Sequence, residues 1–248
     1  MAEQVDISFR DQVTFAGSSD CNDFQPNKFK PDICINCSKK ILLHSSESVK
    51  DDSLIKAALE YSQPGLPSLI FESYSRADRA NGKGGSLWLG GFKSAINLKH
   101  LQENNVQLVV NTAAGLEIFG PKFVKGKQKV KDSGIEFVEL GWVDNLEQQI
   151  EPEVLSDTIR SIDKVLREDR GSVLVHCAQG KSRSSSVVVA FLMATSYGDL
   201  NFDNALEEVK MQRNMAQPNK NFEAQLKQWH KSAEFRAIRD EMCTETPS

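Results

Sequence analysis

The 248-residue chain has no run of about 18 consecutive apolar residues, so it offers no candidate helix for crossing a bilayer. Its opening, MAEQVDISFR, lacks the basic start and apolar core of a secretory signal. It also lacks an excess of positive charge: 30 Lys and Arg stand against 34 Asp and Glu, a formal net charge of −4, which argues against a generic nucleic-acid binder. No internal repeat of useful length is present. The expectation is a soluble cytoplasmic protein, with the nucleus as the other compartment, of one ordinary domain plus an accessory segment. Cysteines are few, five in all, and in such a compartment they are not expected to build a disulfide framework. Their spacing is therefore read as metal binding or catalysis.

From about Ser86 short apolar runs alternate with amphipathic stretches. SLWLGG, QLVVNT, IEFVEL and SVLVHC read as strands. FKSAINLKHLQEN, PEVLSDTIRSIDKVLRE, RSSSVVVAFLMATS, FDNALEEVKMQRN and NKNFEAQLKQWHKSAEF read as helices. Strands separated by helices predict an α/β domain with a mixed, partly parallel central sheet flanked by helices. The organisation expected is a Cys-rich unit over 1–45, a linker over 46–85 with a short helix near 51–62, a main domain over 86–235 and a polar tail over 236–248.

The segment VLVHCAQGKSRSSSVVVAFLM holds two overlapping phosphate-binding patterns. Gly180-Lys181-Ser182 matches the end of a nucleotide-binding Walker loop, but the position that needs its first glycine is Val175, inside a β-branched apolar run. The other pattern, Cys177-x5-Arg183, fits throughout: a strand ends at Cys177, the loop Ala178-Gln179-Gly180-Lys181-Ser182 follows, and Arg183 opens an apolar helix. A loop entering a helix N-terminus presents backbone N–H groups and the positive end of the helix dipole to an anion. Arg183 adds a planar fork of donors for two phosphate oxygens. The same field favours thiolate at Cys177, which suits it as an in-line nucleophile forming a phosphocysteine. Gly180 serves the tight turn around the phosphate. Ser184 is placed to donate a hydrogen bond to Cys177 and help it leave, and His176 to orient the loop rather than act as a base, its plainer reading being a core histidine. The plainer alternative for Cys177 is a buried structural thiol.

HCAQGKSRS resembles the H-C-x-x-G-x-x-R-S motif of the dual-specificity protein tyrosine phosphatases. WLGGFKSAINLKHLQENNVQLVVNTA, with Asn111, is similar to that family's first strand, helix and second strand. AFLMATSYGDLNFDNALEEVKMQRNMAQPNKNFEAQLKQW, with its Pro218-Asn219 turn, is similar to its last helices. The resemblance covers about residues 86–232 and implies a protein tyrosine phosphatase-like fold and hydrolysis of phosphotyrosine and phosphoserine or phosphothreonine in a phosphorylated protein substrate. It also implies an Asp general acid on a loop before the motif strand. Asp144 in GWVDNLEQQI holds that place, between a strand and a helix, its plainer reading being a turn aspartate. Asp157 and Asp163 compete poorly, since an amphipathic helix is expected to expose its carboxylates. No cofactor is expected for catalysis, because Arg183 and the loop amides stabilise the transferring phosphoryl group.

Lys181 and the run PKFVKGKQKVK, with Lys122, Lys125, Lys127, Lys129 and Lys131, concentrate positive charge in an acidic chain. A solvated basic loop is one reading. A pocket border selecting acidic phosphopeptides or a phosphoinositide headgroup is the other. A non-catalytic phospho-ligand-binding or scaffold protein is a further alternative.

The amino-terminal stretch contains Cys21-x12-Cys34-x2-Cys37-x6-His44. Three thiolates and one imidazole satisfy the tetrahedral valence of a structural zinc, with Phe24 and Phe29 packing on the knuckle, and free thiols or a redox pair are the alternative. The F-Q-P-N-x-F-x-x-x-x-C-x-x-C pattern resembles a short segment of a myosin-phosphatase-associated, actin-binding protein, which implies a protein partner for this segment.

Overall fold

The computed structural model describes residues 20–26, 34–38, 44–49, 54, 67–72, 85–167, 171–196 and 199–244. It divides into two compact units, residues 1–63 and 64–248.

In the second unit all four runs expected as strands are strands. They are β2 (Ser86–Gly90), β3 (Val106–Ala113), β4 (Glu136–Trp142) and β5 (Ser172–His176), preceded by β1 (Ser68–Glu72). The sheet order is β1-β2-β5-β3-β4, with β2, β5, β3 and β4 parallel and β1 antiparallel on the edge. β5 sits at the centre and is buried at every residue, which is why SVLVH reads as an unbroken apolar run rather than an alternation. Its side chains still divide by the two-residue period. Val173 and Val175 join the larger core, and Leu174 joins the smaller one.

The larger core lies against α3 (Pro152–Arg167) and α4 (Arg183–Thr195). Apart from Arg183, every residue of α4 is buried, as its apolar sequence demands. The other face carries α1 (Leu98–Glu103) and α2 (Pro121–Asp132), which contribute Leu101 and Val130. Further on come α5 (Phe202–Gln212), α6 (Lys220–Trp229) and α7 (Ala233–Thr244). Because β2 to β5 run in the same direction, their carboxyl ends share one edge. That edge gathers Gly90, Ala113, Trp142 and Cys177, a crevice position suited to ligand binding.

The structure departs from expectation in four places. The stretch read as linker supplies edge strand β1. The lysine run is helix α2, not a loop: Pro121 stands at its first turn and Phe123 and Val130 are buried. The last helix breaks at His230–Ser232 and resumes, capped by Ser232 Oγ, which accepts the Phe235 N–H at 3.1 Å. Most of the expected polar tail is thus α7, whose Phe235, Ile238 and Met242 are buried, each contributing about 1.5–3 kcal/mol by burial. Finally, Asp163 is buried and paired with Arg167 at 2.9 Å, whereas Asp157 lies on the surface against Arg160.

In the first unit a β-bridge joins Pro26 to Cys34, and the Ile35 N–H donates to the Gln25 carbonyl at 2.8 Å, folding the chain back on itself. Ser45 caps a turn over Ser46–Ser48, and the Phe24 N–H donates to the Ser48 carbonyl at 3.0 Å. The short helix expected over 51–62 lies outside the described residues apart from Leu54, and so does Phe29.

Candidate active site

β5 delivers Cys177 to the carboxyl edge of the sheet and α4 begins six residues later, so the loop between them closes on the thiol. Gly180 holds φ +72, and a Cβ there would lie 2.5 Å from the Gly90 carbonyl oxygen, so no other residue fits without displacing the loop. The Gly180 N–H donates to Cys177 Sγ at 3.1 Å and the Ser184 hydroxyl at 3.2 Å. Burial opposes ionisation of Cys177. The Ser184 hydroxyl, the N–H groups of Ser184 and Lys181 and the charge of Arg183 outweigh it and hold the thiol below its ordinary value. Ser184→Ala removes the strongest of these opposing contacts, so the midpoint of the pH dependence of iodoacetate alkylation at Cys177 is expected to move upward. An unmoved midpoint would show that Ser184 does not support the thiolate.

His176 is buried, with Nδ1 3.3 Å from the Cys177 carbonyl oxygen. Burial pushes its imidazole down to about 4, so it is neutral at pH 7 and unsuited to act as a base there. Thr112 Oγ1 donates to the His176 carbonyl at 3.0 Å and fixes the end of the strand. Among the loop residues Gln179 and Lys181 are exposed, Ala178 is half-buried, and Gly180 and Ser182 are buried.

The loop carbonyls are turned away from the thiol and tied down. Arg213, 1% exposed, donates from Nε to the Gly180 carbonyl at 2.7 Å and from Nη2 to the Gln179 carbonyl at 2.9 Å. The Gln217 N–H donates to the Lys181 carbonyl at 2.7 Å. With carbonyls held outward, the N–H groups face inward, the arrangement an oxyanion requires. Sequence reasoning missed Arg213. Its type and spacing carry no local signal.

Arg183, 12% exposed, donates from Nη1 to the Trp142 carbonyl at 3.1 Å, while its buried Nε has no hydrogen-bond partner among the described residues. That Nε lies 3.7 Å from Asp144 Oδ2. The structure therefore brings Asp144, Cys177, Arg183 and Ser184 to one crevice. Residues of α6 and its cap hold the Asp144 loop: Asn219 Nδ2 donates to Asp144 Oδ1 at 2.8 Å, Asn221 and Gln225 donate to the Gln148 carbonyl at 2.7 and 2.9 Å, and Gln225 Oε1 accepts the Ile150 N–H at 2.8 Å. A thiolate aligned with inward N–H groups, a guanidinium and a neighbouring carboxyl is equipped for phosphoryl transfer through cysteine.

The basic run is less free than its sequence implies. Lys127 pairs with Glu139 at 2.7 Å, and Lys131 lies 3.7 Å from the same carboxylate. Asn111 also donates to Glu139, at 2.6 Å, joining that network to the end of β3.

In the first unit, the donor atoms of Cys21, Cys34, Cys37 and His44 all lie within 4.8 Å of one another. Cys21 Sγ and Cys34 Sγ are 3.9 Å apart, and Cys37 Sγ is 3.3 Å from His44 Nε2. A tetrahedral zinc with bonds of about 2.3 Å to sulfur and 2.0–2.1 Å to nitrogen has edges of roughly 3.5–3.8 Å, so this donor set fits such an ion. The Phe24 ring stands edge-on to His44 at 5.1 Å, as expected for a residue packing on the knuckle.

Residues 87–232 match the family described as "Dual specificity phosphatase, catalytic domain". The chain is 33% identical over 180 residues to "Dual specificity protein phosphatase 1" of Arabidopsis thaliana, covering 72% of this chain and 76% of that one. It is 35% identical over 141 residues to "Protein phosphatase Slingshot" of Drosophila melanogaster, covering 56% of this chain but only 12% of that one. Among solved structures, a mouse putative dual specificity phosphatase complexed with zinc tungstate aligns with a TM-score of 0.51 at 27% identity, covering 61% of this chain and 86% of that one.

Proposed function

The chain belongs to the dual specificity phosphatase family and carries that family's catalytic domain, and on this premise we propose that it dephosphorylates phosphotyrosine and phosphoserine or phosphothreonine in proteins through a phosphocysteine at Cys177. The observation that supports this most is the convergence of the Gly180 N–H, the Ser184 hydroxyl and Arg183 on a buried thiol with Asp144 alongside. The Cys177 thiolate attacks phosphorus in line. Arg183 and the N–H groups of the loop hold the equatorial oxygens, and Asp144 protonates the departing oxygen. Asp144 then takes a proton from the attacking water, and Ser184 eases departure of the thiolate by donating to it. A pure phospho-ligand binder has no use for the aligned nucleophile and acid. Phosphate release from phosphotyrosine and phosphothreonine peptides, with Cys177→Ser as the control, tests this reading.

The same assay on phosphoinositides separates the lipid alternative. The Glu139 pairing of Lys127 and Lys131 weakens the case for that alternative, while Lys181 stays exposed beside the thiol. No helix among the described residues is long and apolar enough to cross a membrane. The cysteine spacing, read as metal binding and catalysis rather than as a disulfide framework, suits a reducing compartment, and we place the protein in the cytoplasm or nucleus.

For the amino-terminal unit we propose a structural zinc held by Cys21, Cys34, Cys37 and His44, in a module that binds a protein partner. A bound ion supplies folding free energy directly, which small domains commonly need. Metal analysis of the purified full-length protein is expected to give about one zinc per chain, falling to a small fraction in the double variant Cys34→Ser/Cys37→Ser. Zinc content that is substoichiometric and insensitive to the double variant would overturn the assignment.

A further inference from the structure

The side chain of Asp144 is held asymmetrically. Oδ1 accepts two hydrogen bonds, from Ser182 Oγ and from Asn219 Nδ2, each at 2.8 Å. Oδ2 faces the Arg183 Nε at 3.7 Å and takes no hydrogen bond among the described residues. Both donors are themselves oriented. Ser182 Oγ accepts the Asn219 N–H at 3.1 Å, which turns its own proton toward Asp144. Asn219 Oδ1 caps α6 by accepting the Phe222 N–H at 2.9 Å, so the amide orientation is settled and Nδ2 is left for Asp144 Oδ1 and for the Asn145 carbonyl at 3.2 Å.

We propose that Ser182 and Asn219 are positioning residues that set the acid loop in its working place, and that Oδ2 of Asp144 carries the transferred proton. The proposal rests on the phosphatase reading above. As the P–S bond forms and the ester P–O bond breaks, the Oδ2–H bond gives its proton to the leaving oxygen. The electron pair of that bond stays on the carboxylate, whose charge the two donors at Oδ1 stabilise. Ser182 belongs to the phosphate loop, and Asn219 opens the helix whose other side chains hold residues 148 and 150. The pair therefore ties the phosphate cradle to the acid, so that the register between nucleophile and proton donor is set before substrate arrives.

The test is the dependence of kcat/KM on leaving-group pKa across a series of aryl phosphates, from nitrophenyl to alkyl-substituted phenyl esters, in the full-length protein. A protonated leaving group makes the wild-type dependence shallow, and Asp144→Asn is expected to make it steep. Ser182→Ala and Asn219→Ser are expected to fall between, with a loss that grows toward the poorest leaving groups and reaches about 10-fold there. Serine retains an N-cap for α6, which keeps helix damage out of the second variant. A uniform loss across the series would mean that Ser182 and Asn219 serve only the loop fold, and would overturn the proposal, as would wild-type slopes in both variants. An unchanged slope in Asp144→Asn would remove Asp144 as the acid and the proposal with it. Retained turnover in Cys177→Ser would instead strike the underlying phosphatase reading.

Discussion

Cys177→Ser is expected to lower turnover by on the order of 10⁴-fold or more while leaving phosphopeptide affinity within a few-fold of wild type. The chemical loss is large because a serine hydroxyl in the same place has no comparable tendency to ionise. The contacts that hold the Cys177 thiol low act on a group whose ordinary value is already near 8.5, far below that of an alkanol. The binding loss is small because the phosphate-holding parts lie elsewhere. The inward N–H groups are kept by the Arg213 bonds to the Gly180 and Gln179 carbonyls, and the Arg183 fork is anchored to the Trp142 carbonyl. Titration calorimetry with a phosphotyrosine peptide, beside phosphate release, reads both quantities. Turnover within tenfold of wild type would remove Cys177 as the nucleophile.

Asp144→Asn is expected to lower kcat by about 10²–10³-fold on phosphotyrosine peptides. The loss follows from the role: a carboxyl can give a proton to the leaving oxygen and an amide cannot. The acid side of the pH–rate profile, set by the Cys177 thiolate, should persist in this variant. The substitution is near-isosteric. Its side-chain oxygen can still accept from Ser182 and Asn219, so the loop geometry is kept and the proton alone is lost. A loss below about threefold would assign the acid elsewhere.

Legibility of these features in the sequence followed the range of the contacts. The Cys177 loop was readable because strand, loop and helix lie within one short segment and each residue type has a local reason to be there. The grouping of Cys21, Cys34, Cys37 and His44 was readable for the same reason, since Cys34-x2-Cys37 is a single turn, although His44 stands at an unusual spacing. Arg213 and Asn219 were not readable as site residues, because they reach the Gly180 carbonyl and Asp144 across 33 and 75 positions of sequence. Strand β1 escaped notice because it is a five-residue edge element with one neighbour, β2, and no alternation of its own. Helix α2 was hidden by its lysines and by Gly126, which is there because a Cβ would lie 2.8 Å from the Ile96 Cβ. Helix α7 was hidden because only Phe235, Ile238 and Met242 mark its inner face in an otherwise charged stretch. Burial of Asp163 needed the i, i+4 partner Arg167, a pairing visible in the sequence but ambiguous there between core and surface.

The central claim is a covalent phosphoryl transfer at Cys177, and rapid mixing of wild-type protein with excess phosphotyrosine peptide, acid quenching and mass analysis of the Cys177 peptide tests it most directly. The account predicts a phosphoryl group on Cys177 at early times, absent from Cys177→Ser. Phosphate released at the wild-type rate with no phosphorylated Cys177 peptide at any time would contradict it.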